Sequence, residues 1–313
     1  MKSFLTFSIV VATTCASSIP SSALAPRGKT TYPPQGLIKP GFFPTWLETF
    51  SGVPGTIPSS SNWIFDLGTS YPGGAERWGN NEYQTYTDSP SNIHLTKQQT
   101  LAITPRLKDG QWTSARIETQ RSDFVAAPGG KLFIESRIKV GGAPEAQSQG
   151  IWPAFWALGS EFRGNYTNWP YATEWDFLEV ISGQNTIYST IHCGFAPGGP
   201  CNEYNGIGSG GVPFKRGSWN TVGFQVDRSV SGKGNATWED ESLSWFLNGK
   251  QIFTVKGKTV GDEPTWTKLA HEEHFLLLNV AVGGNWPGFP NNQTIDGPSA
   301  GMEVDYVGVW NSL

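Results

Sequence analysis

The stretch KLFIESRIKV, residues 131–140, alternates apolar or small side chains with mostly polar ones. Its even positions run from Leu132 to Val140, whereas Glu135 and Arg137 stand at odd positions. A period of two is typical of a β-strand that buries one face, because successive side chains of a strand point to opposite sides. This stretch therefore predicts a strand and directs the interpretation of the whole chain toward a β fold.

Strand patterns recur at short intervals along the chain. The segment LSWFLNGKQIFTV (243–255) consists of two such runs joined across Asn248 and Gly249, a strong hairpin signal because both turn residues must adopt positive φ. Further strands are predicted in TVGFQVD (221–227), FLLLNVAV (275–282) and MEVDYVGVW (302–310), and only WTKLAHEEH (266–274) has the pattern for a turn or two of helix. Many strands between Gly- and Pro-containing turns predict an all-β jelly-roll sandwich of two antiparallel sheets.

The composition argues against nucleic-acid and membrane partners. The 313 residues carry a formal net charge of −4 and contain no run of five or more Lys or Arg residues. Such a chain lacks the basic patch that binds phosphates or anionic lipids. The 14 Trp and 38 Gly instead suit a turn-rich β fold whose aromatic side chains can stack on the flat apolar faces of sugar rings.

The N-terminal residues have the layout of a secretory signal peptide. One Lys precedes an apolar run from Phe4 to Ala12, small residues follow, and cleavage is expected after Ala16 or Ala25. The apolar run is about half of the ~20 residues that a membrane span needs. We therefore expect a signal peptide at residues 1–25 and a protein secreted to the extracellular space or the cell wall.

The rest of the chain divides into two parts. Residues 26–42 are rich in Ser, Pro, Gly and Lys without periodicity, which indicates an N-terminal lead-in. Residues 43–313 contain no linker, repeat or low-complexity tract, so a single domain is the simplest interpretation. We expect this domain to act as a monomer.

Secretion has consequences for the cysteines and for glycosylation. Cys193 and Cys201 flank a Gly- and Pro-rich loop, CGFAPGGPC, and in an oxidising compartment we expect them to form a disulfide. Three N-x-[ST] sequons, at Asn165, Asn235 and Asn292, are predicted glycan acceptors in surface loops.

The octapeptide TEWDFLEV places three carboxylates, Glu174, Asp176 and Glu179, among apolar residues. On a helix the three side chains would diverge, and on a regular strand Glu179 would point away from the other two. A single β-bulge near Phe177-Leu178 would add one residue and return Glu179 to their side. The sequence therefore predicts a bulged strand with three acids on one face and apolar side chains, including Trp175, on the other.

Three carboxylates on one face repel one another, and this raises the pKa of at least one of them. A protonated carboxyl group beside an ionised one is what a glycosidase requires. A separation of about 5–5.5 Å suits retention of configuration, and about 6.5–9.5 Å suits inversion. The alternative, a solvated edge strand with scattered acids, is disfavoured by the apolar residues of the same segment.

The E-x-D-x-x-E pattern of Glu174, Asp176 and Glu179 resembles the catalytic motif of glycoside hydrolase family 16, in its bulged, laminarinase-like branch of fungal-type secreted enzymes. Other segments resemble that family in the same order along the chain: WGNNEYQTYT (78–87), WTSARIET (112–119), KLFIESRIKV (131–140), GIWPAFWALG (150–159), LLLNVAVGGNWPG (276–288) and MEVDYVGVW (302–310). The resemblance implies a jelly roll with an open concave cleft. It also implies an endo-β-glucanase that cuts β-1,3 or mixed β-1,3/1,4 glucans with retention.

The resemblance assigns roles to individual residues. Glu174 corresponds to the nucleophile, Glu179 to the general acid/base and Asp176 to the assisting carboxylate. The expected substrate-binding residues are Glu135, Arg137, Trp152, Trp156, His192 and Trp286. Asp305 corresponds to a position that binds a structural calcium ion in several relatives, whereas catalysis itself is expected to require no cofactor. The motif departs from the family at its start, where Thr173 and Trp175 replace a Gly and an Ile.

Two other functions are compatible with the same resemblance. A cell-wall transglycosylase would employ the same residues with an acceptor sugar in place of water, and a non-catalytic β-glucan-binding protein would use only the cleft. Retention of both glutamates disfavours the second alternative. Linkage preference depends on the loops at Tyr71–Asn81 and Gly194–Gly211, whose shapes the sequence does not specify.

Overall fold

The computed structural model describes residues 37–231 and 233–312. The predicted signal peptide at 1–25, its cleavage sites and most of the lead-in at 26–42 lie outside the described residues. Within the described part, no helix is long and apolar enough to cross a membrane.

Strands dominate the described chain, in keeping with the period-two patterns of the sequence. They are β1 Phe42–Glu48, β2 Trp63–Asp66, β3 Thr85–Tyr86, β4 Ile93–Leu95, β5 Leu101–Ile103, β6 Arg106–Lys108, β7 Gln111–Ser114, β8 Arg116–Thr119, β9 Lys131–Val140, β10 Ile151–Gly159, β11 Glu174–Glu179, β12 Thr186–His192, β13 Ile207–Gly208, β14 Val212–Pro213, β15 Asn220–Asp227, β16 Ser242–Leu247, β17 Lys250–Lys256, β18 His274–Val282 and β19 Met302–Ser312. The helices are α1 Gly257–Val260 and α2 Glu263–His271, with single 3₁₀ turns at Glu76–Gly79, Glu145–Gln147, Ser160–Phe162, Trp238–Asp240 and Pro298–Ala300. The helix predicted from 266–274 is therefore present and begins at Glu263.

Two antiparallel sheets form the sandwich, which confirms the predicted all-β jelly-roll class. The front sheet has the strand order β13-β12-β11-β10-β18-β8-β2, with β14 beside β12. The back sheet has the order β17-β16-β15-β9-β19-β5-β4, with β1 beside β19. The predicted hairpin is β16-β17, whose turn residues Asn248 and Gly249 have φ of 51° and 77°.

The core lies between the two sheets and follows from the alternation in the sequence. Along β9 every even position from Leu132 to Val140 is buried, whereas the odd positions are half-exposed. The core is rich in aromatic side chains, and Trp175 and Phe177 of the front sheet both contact Phe224 of the back sheet, with ring centroids 4.8 and 4.9 Å apart.

The same alternation corrects one expectation. Glu135 and Arg137 occupy odd positions of β9, so they lie on the outer face of the back sheet, away from β11 of the front sheet. There Glu135 pairs with Lys39 at 2.9 Å and Arg137 pairs with Asp305 at 2.8 Å. Their assignment as substrate-binding residues was wrong, because the thickness of the sandwich separates them from the three acids.

Strand β11 contains the predicted bulge. On β10, Phe155 pairs with Leu178 and Trp156 pairs with Asp176, so Phe177 has no partner in this register. The register also shifts on β12, where Asp176 faces Thr190 and Glu179 faces Tyr188. The extra residue returns Glu179 to the side of Glu174 and Asp176, as the spacing predicted. We call this side of the front sheet the cleft face.

Two indole groups hold the bulged strand from the core side. Nε1 of Trp245, on β16 of the back sheet, donates to the backbone oxygen of Asp176 at 2.7 Å. Nε1 of Trp175 donates to the backbone oxygen of Leu269 in α2 at 3.0 Å. The first bond ties the bulged strand to the back sheet and the second ties it to the C-terminal turn of α2, so both indoles give buried backbone oxygens a hydrogen-bond donor.

We predict that Trp245→Phe destabilises the protein more than a matched Trp→Phe change at Trp63. Both side chains are fully buried, but the indole of Trp63 donates to Glu48, a half-buried carboxylate that also accepts from Asn62. Trp245→Phe leaves the buried oxygen of Asp176 unpaired, which costs about 1–3 kcal/mol beyond the lost ring volume. Denaturant unfolding of both variants checks this, and equal losses of unfolding free energy would contradict the bridging role of Trp245.

Candidate active site

The three acids of β11 and His192 of β12 form one cluster on the cleft face. Cross-strand pairing sets Glu174 opposite His192, and partners in an antiparallel pair point to the same side. One ligating atom each of Glu174, Asp176 and His192 lies within 4.8 Å of the others. Asp176 and Glu179 are 3% and 8% exposed, so the cluster is largely removed from water.

Glu174 has several groups that stabilise its ionised form. Nε1 of Trp169 donates to Oε2 of Glu174 at 2.9 Å. Burial raises the pKa of Glu174 above its usual value, and the charge of His192 and the hydrogen bonds from Trp169 and Asp176 limit this rise. These contacts make Glu174 the acid of the cluster best suited to remain an anion.

Glu179 lies in a different environment on the same strand. Nε1 of Trp152 donates to its Oε1 at 3.0 Å. Burial and the neighbouring charge of Glu174 raise the pKa of Glu179 to about 7, with Trp152 and His192 acting in the opposite direction. Glu179 is therefore able to hold a proton near neutral pH and to release it.

Asp176 holds a proton most strongly. Burial, followed by the charges of Glu174 and Glu179, raises the pKa of Asp176 well above the usual range of an aspartate. Its hydrogen bond with Glu174 raises the pKa of Asp176 and lowers that of Glu174, so Asp176 is the donor. Among the described residues, the second oxygen, Oδ2, is buried without a hydrogen-bond partner and faces Nε2 of His192 at 3.6 Å.

Aromatic side chains flank the cluster. Next to Glu179, the rings of Trp152 and Trp286 meet edge to face at 5.7 Å, and Trp286 also contacts Tyr188 at 5.1 Å. Trp286 is 45% exposed, so it can present a ring to a ligand. The structure thus brings the predicted residues Trp152, Trp286 and His192 to the acids.

Trp156 also lies on the cleft face, where its side chain contacts Asn279 and Arg116 and donates to none of the three acids. Its Nε1 donates to Oδ1 of Asn279 at 2.7 Å, and its ring covers the guanidinium of Arg116 at 4.8 Å. Arg116 also lies over the ring of Trp78 at 4.6 Å and pairs with Asp66 at 2.9 Å. This buried ion pair was missed from the sequence because its two members are fifty positions apart and neither stands in a recognisable spacing.

An apolar patch limits the cleft face beyond Glu174. Leu158 pairs across the strands with Glu174 and with Phe275, so all three point to the same side. Leu158 and Phe275 are buried against Phe162 and Tyr166 of the segment after β10. The ring of Tyr166 in turn stacks on Tyr71 at 4.1 Å. These rings form an apolar wall beside Glu174.

The calcium ion expected at Asp305 stays a prediction. A calcium site requires six or more oxygen ligands, whereas the carboxylate of Asp305 accepts a hydrogen bond from the guanidinium of Arg137. Within the described residues, the one group of three ligating side chains is Glu174, Asp176 and His192. Those three groups already balance one another by hydrogen bonding and charge, and we assign no metal ion to them.

The disulfide and the sequons lie where the sequence placed them. Cys193 and Cys201 form the predicted disulfide directly after β12. Asn165, Asn235 and Asn292 are all exposed in segments between strands, which is compatible with glycan attachment.

Comparisons with known proteins give a consistent group of relatives, although no protein-family model matches the chain. The clotting factor G alpha subunit of Tachypleus tridentatus is 30% identical, covering 85% of this chain and 33% of that protein. Glucan endo-1,3-beta-glucosidase A1 of Niallia circulans is 25% identical, covering 85% of this chain and 37% of that protein. The chain thus spans 33% and 37% of the length of these two curated relatives.

A solved structure matches over nearly its whole length. The endo-1,3-beta-glucanase from Streptomyces sioyaensis is 40% identical with a TM-score of 0.82, and the match covers 90% of this chain and 99% of that one. Its identity and coverage make it a relative of the entire described domain.

We predict that Trp152→Phe raises the pKa of Glu179, because the indole N–H of Trp152 stabilises the ionised carboxylate. Titration of ¹³C-labelled glutamate carboxyl groups by NMR measures this pKa. Trp156→Phe is the matched control, since the indole of Trp156 donates to Asn279 and to none of the three acids. An unchanged or lowered pKa of Glu179 in Trp152→Phe would refute the contact.

Proposed function

The chain belongs to glycoside hydrolase family 16, and on that basis we propose that it is an endo-β-glucanase that hydrolyses β-1,3 or mixed β-1,3/1,4 glucans with retention of configuration. The observation that carries this proposal is the bulged strand β11, which holds Glu174 and Glu179 on one face with Asp176 between them. Two carboxyl groups with different proton affinities are what the retaining reaction requires.

The environments of the two glutamates support distinct roles. In the first step Glu174, held as an anion by Trp169 and Asp176, attacks the anomeric carbon, while Glu179 gives its proton to the departing glycosidic oxygen. In the second step Glu179 takes a proton from water, whose oxygen replaces Glu174 at the anomeric carbon. Both residues return to their starting protonation states, and Asp176 retains its proton as the donor to Glu174.

The aromatic residues beside Glu179 support the assignment of a sugar substrate. We propose that Trp152 and Trp286 contact pyranose rings, because their faces and edges border the acids and Trp286 is exposed. His192 lies beside Glu174 at the opposite end of the cluster. Trp156 is half-buried over Arg116, so its contribution is to shape the floor next to the acids.

The proposal includes secretion of the enzyme as a glycosylated monomer. The signal-like sequence of residues 1–25, the disulfide and the exposed sequons support this cellular setting. N-terminal sequencing of protein from the culture medium, together with a mass shift on deglycosylation, tests it. Protein that stays in the cells with an intact N-terminus would contradict secretion.

Product analysis on laminarin tests the reaction itself. Short oligosaccharides with the β-anomer formed first support retaining endo-hydrolysis. Longer chains indicate transfer to an acceptor sugar, and intact polymer that is retained on a glucan column indicates binding alone. Rates on laminarin, mixed-linkage glucan, xyloglucan and galactan, measured in parallel, identify the preferred linkage.

We predict that Glu174→Gln and Glu179→Gln each lower kcat by about 10²–10⁴-fold or more, while the fold is retained. Steady-state rates on laminarin and circular dichroism measure the two effects. Glu135→Gln is the matched control, because Glu135 lies on the outer face of the back sheet and should leave the rate unchanged. If the Glu174→Gln enzyme kept nearly full activity, Glu174 could not be the nucleophile.

A further prediction concerns the covalent intermediate. In Glu174→Ala the space of the carboxylate becomes available to a small anion, so azide should restore part of the activity and yield an α-glycosyl azide. NMR of the product identifies its anomeric configuration. Rescue with a β-configured product would argue against displacement at the position of Glu174.

A further inference from the structure

A buried glutamate that the sequence did not single out lies next to the acid cluster. Glu203 is 5% exposed and accepts two hydrogen bonds. Its Oε2 accepts from Nδ1 of His192 at 2.8 Å, and its Oε1 accepts from the backbone N–H of Cys193 at 2.8 Å. The other ring nitrogen of His192, Nε2, faces Oδ2 of Asp176 at 3.6 Å. A continuous row of polar groups therefore joins Glu203 to the strand that bears the three acids.

The loop that carries Glu203 is fixed at several points. Its disulfide joins Cys193, the residue after His192, to Cys201, two positions before Glu203. The backbone N–H and C=O of Glu203 both pair with Gly198 of the same loop. Because the loop is closed on itself and on the end of β12, the carboxylate of Glu203 is directed at His192.

We propose that Glu203 is a positioning residue of this active site: it binds Nδ1–H of His192, so that the imidazolium presents Nε2–H to Asp176 and Glu174. The inference rests on the proposed hydrolase function. The carboxylate of Glu203 can only accept a hydrogen bond, which fixes a proton on Nδ1. A second proton on Nε2 then faces the cluster, where Asp176 has a buried oxygen without a hydrogen-bond partner among the described residues.

The surrounding charges support a cationic His192. The titratable groups that act on it are Glu203 from the loop and Glu174, Asp176 and Glu179 from β11. Burial lowers the pKa of His192, but the hydrogen bond to Glu203 and the charges of the glutamates outweigh it and raise that pKa above the usual value. His192 in turn lowers the pKa of Glu174 and of Glu179. Its positive charge thus stabilises the ionised forms of Glu174 and Glu179.

Glu203→Gln tests this arrangement with little change in shape. The amide oxygen must accept from Cys193 N–H, so the NH₂ group faces Nδ1 of His192 and requires that nitrogen to be an acceptor. His192 then becomes neutral with its proton on Nε2. Loss of the cation raises the pKa of both Glu174 and Glu179, since it had lowered both. In a plot of kcat/KM against pH, the acidic limb reports the ionisation of Glu174 and the basic limb that of Glu179. Both limbs should therefore move to higher pH.

Two measurements test the proposal: the pH dependence of laminarin hydrolysis and the NMR titration of His192 in the protein without substrate. We expect the ratio of kcat/KM at pH 8 to that at pH 5 to rise several-fold in Glu203→Gln, and NMR of ¹⁵N-labelled histidine to show His192 titrating at lower pH. In a His192→Gln background, Glu203→Gln should move the limbs no further, because the two residues act through one another. A reduced rate with unmoved limbs and an unmoved His192 titration would mean that Glu203 has a structural role only.

A second buried glutamate–histidine pair provides the matched control. Glu241 is 2% exposed, contacts His271 at 2.5 Å and accepts from Trp266, and none of these contacts involves the acid cluster. Glu241→Gln should leave both limbs in place, whatever its effect on stability.

The NMR measurement on the wild-type protein needs no variant and no substrate. A His192 that is neutral at pH 6 overturns the proposal even if Glu203→Gln fails to fold. Absence of glucan hydrolysis by the wild-type protein would instead overturn the proposed function, while the titration of His192 would still report on the contact with Glu203.

Discussion

The site depends on one unpaired residue, Phe177, in strand β11. Without this extra residue the period of two would turn Glu179 into the core, and Glu174 and Asp176 would lack their partner. The bulge interrupts the ladder, and the back sheet compensates by supplying the indole of Trp245 to the carbonyl of Asp176. The front sheet can carry three acids on one face because the back sheet holds the irregular strand in place.

Three carboxyl groups this close together repel one another when ionised, and the neighbouring residues stabilise the three anions to different degrees. A proton stays on Asp176, because burial and the charges of Glu174 and Glu179 raise the pKa of Asp176 well above its usual value. The indoles of Trp169 and Trp152 each donate to one glutamate, but only Glu174 also accepts a hydrogen bond from Asp176. This asymmetry separates a group suited to remain an anion from one suited to exchange a proton. The aromatic residues therefore set proton affinity as well as shape.

The sequence predicted what short-range patterns encode and missed what tertiary contacts create. The bulge was predictable because the spacing of the acids on TEWDFLEV admits few geometries, and the hairpin because Asn248 and Gly249 leave little choice of turn. Glu135 and Arg137 were misplaced, since alternation assigns them a common face without saying which side of which sheet it is. Arg116 with Asp66, and Glu203 with His192, were missed because their partners meet only through the fold. Long-range pairs of buried charges carry no local periodicity.

The departures from the family motif form one packed unit. Thr173 stands at the position that the resemblance to the family motif assigns to a Gly, and it has a φ of 68°, a conformation that strains a β-branched residue. Its hydroxyl donates to Nε2 of His274 at 2.9 Å, whose Nδ1 donates to the backbone oxygen of Glu272. Burial lowers the pKa of His274 to about 3, so the ring is neutral and stacks on Trp175 at 3.5 Å. The larger Trp175 and the strained Thr173 therefore share one support, His274. A smaller residue at either position would leave part of that support without a partner, so the two unusual residues before Asp176 are best understood as a matched pair.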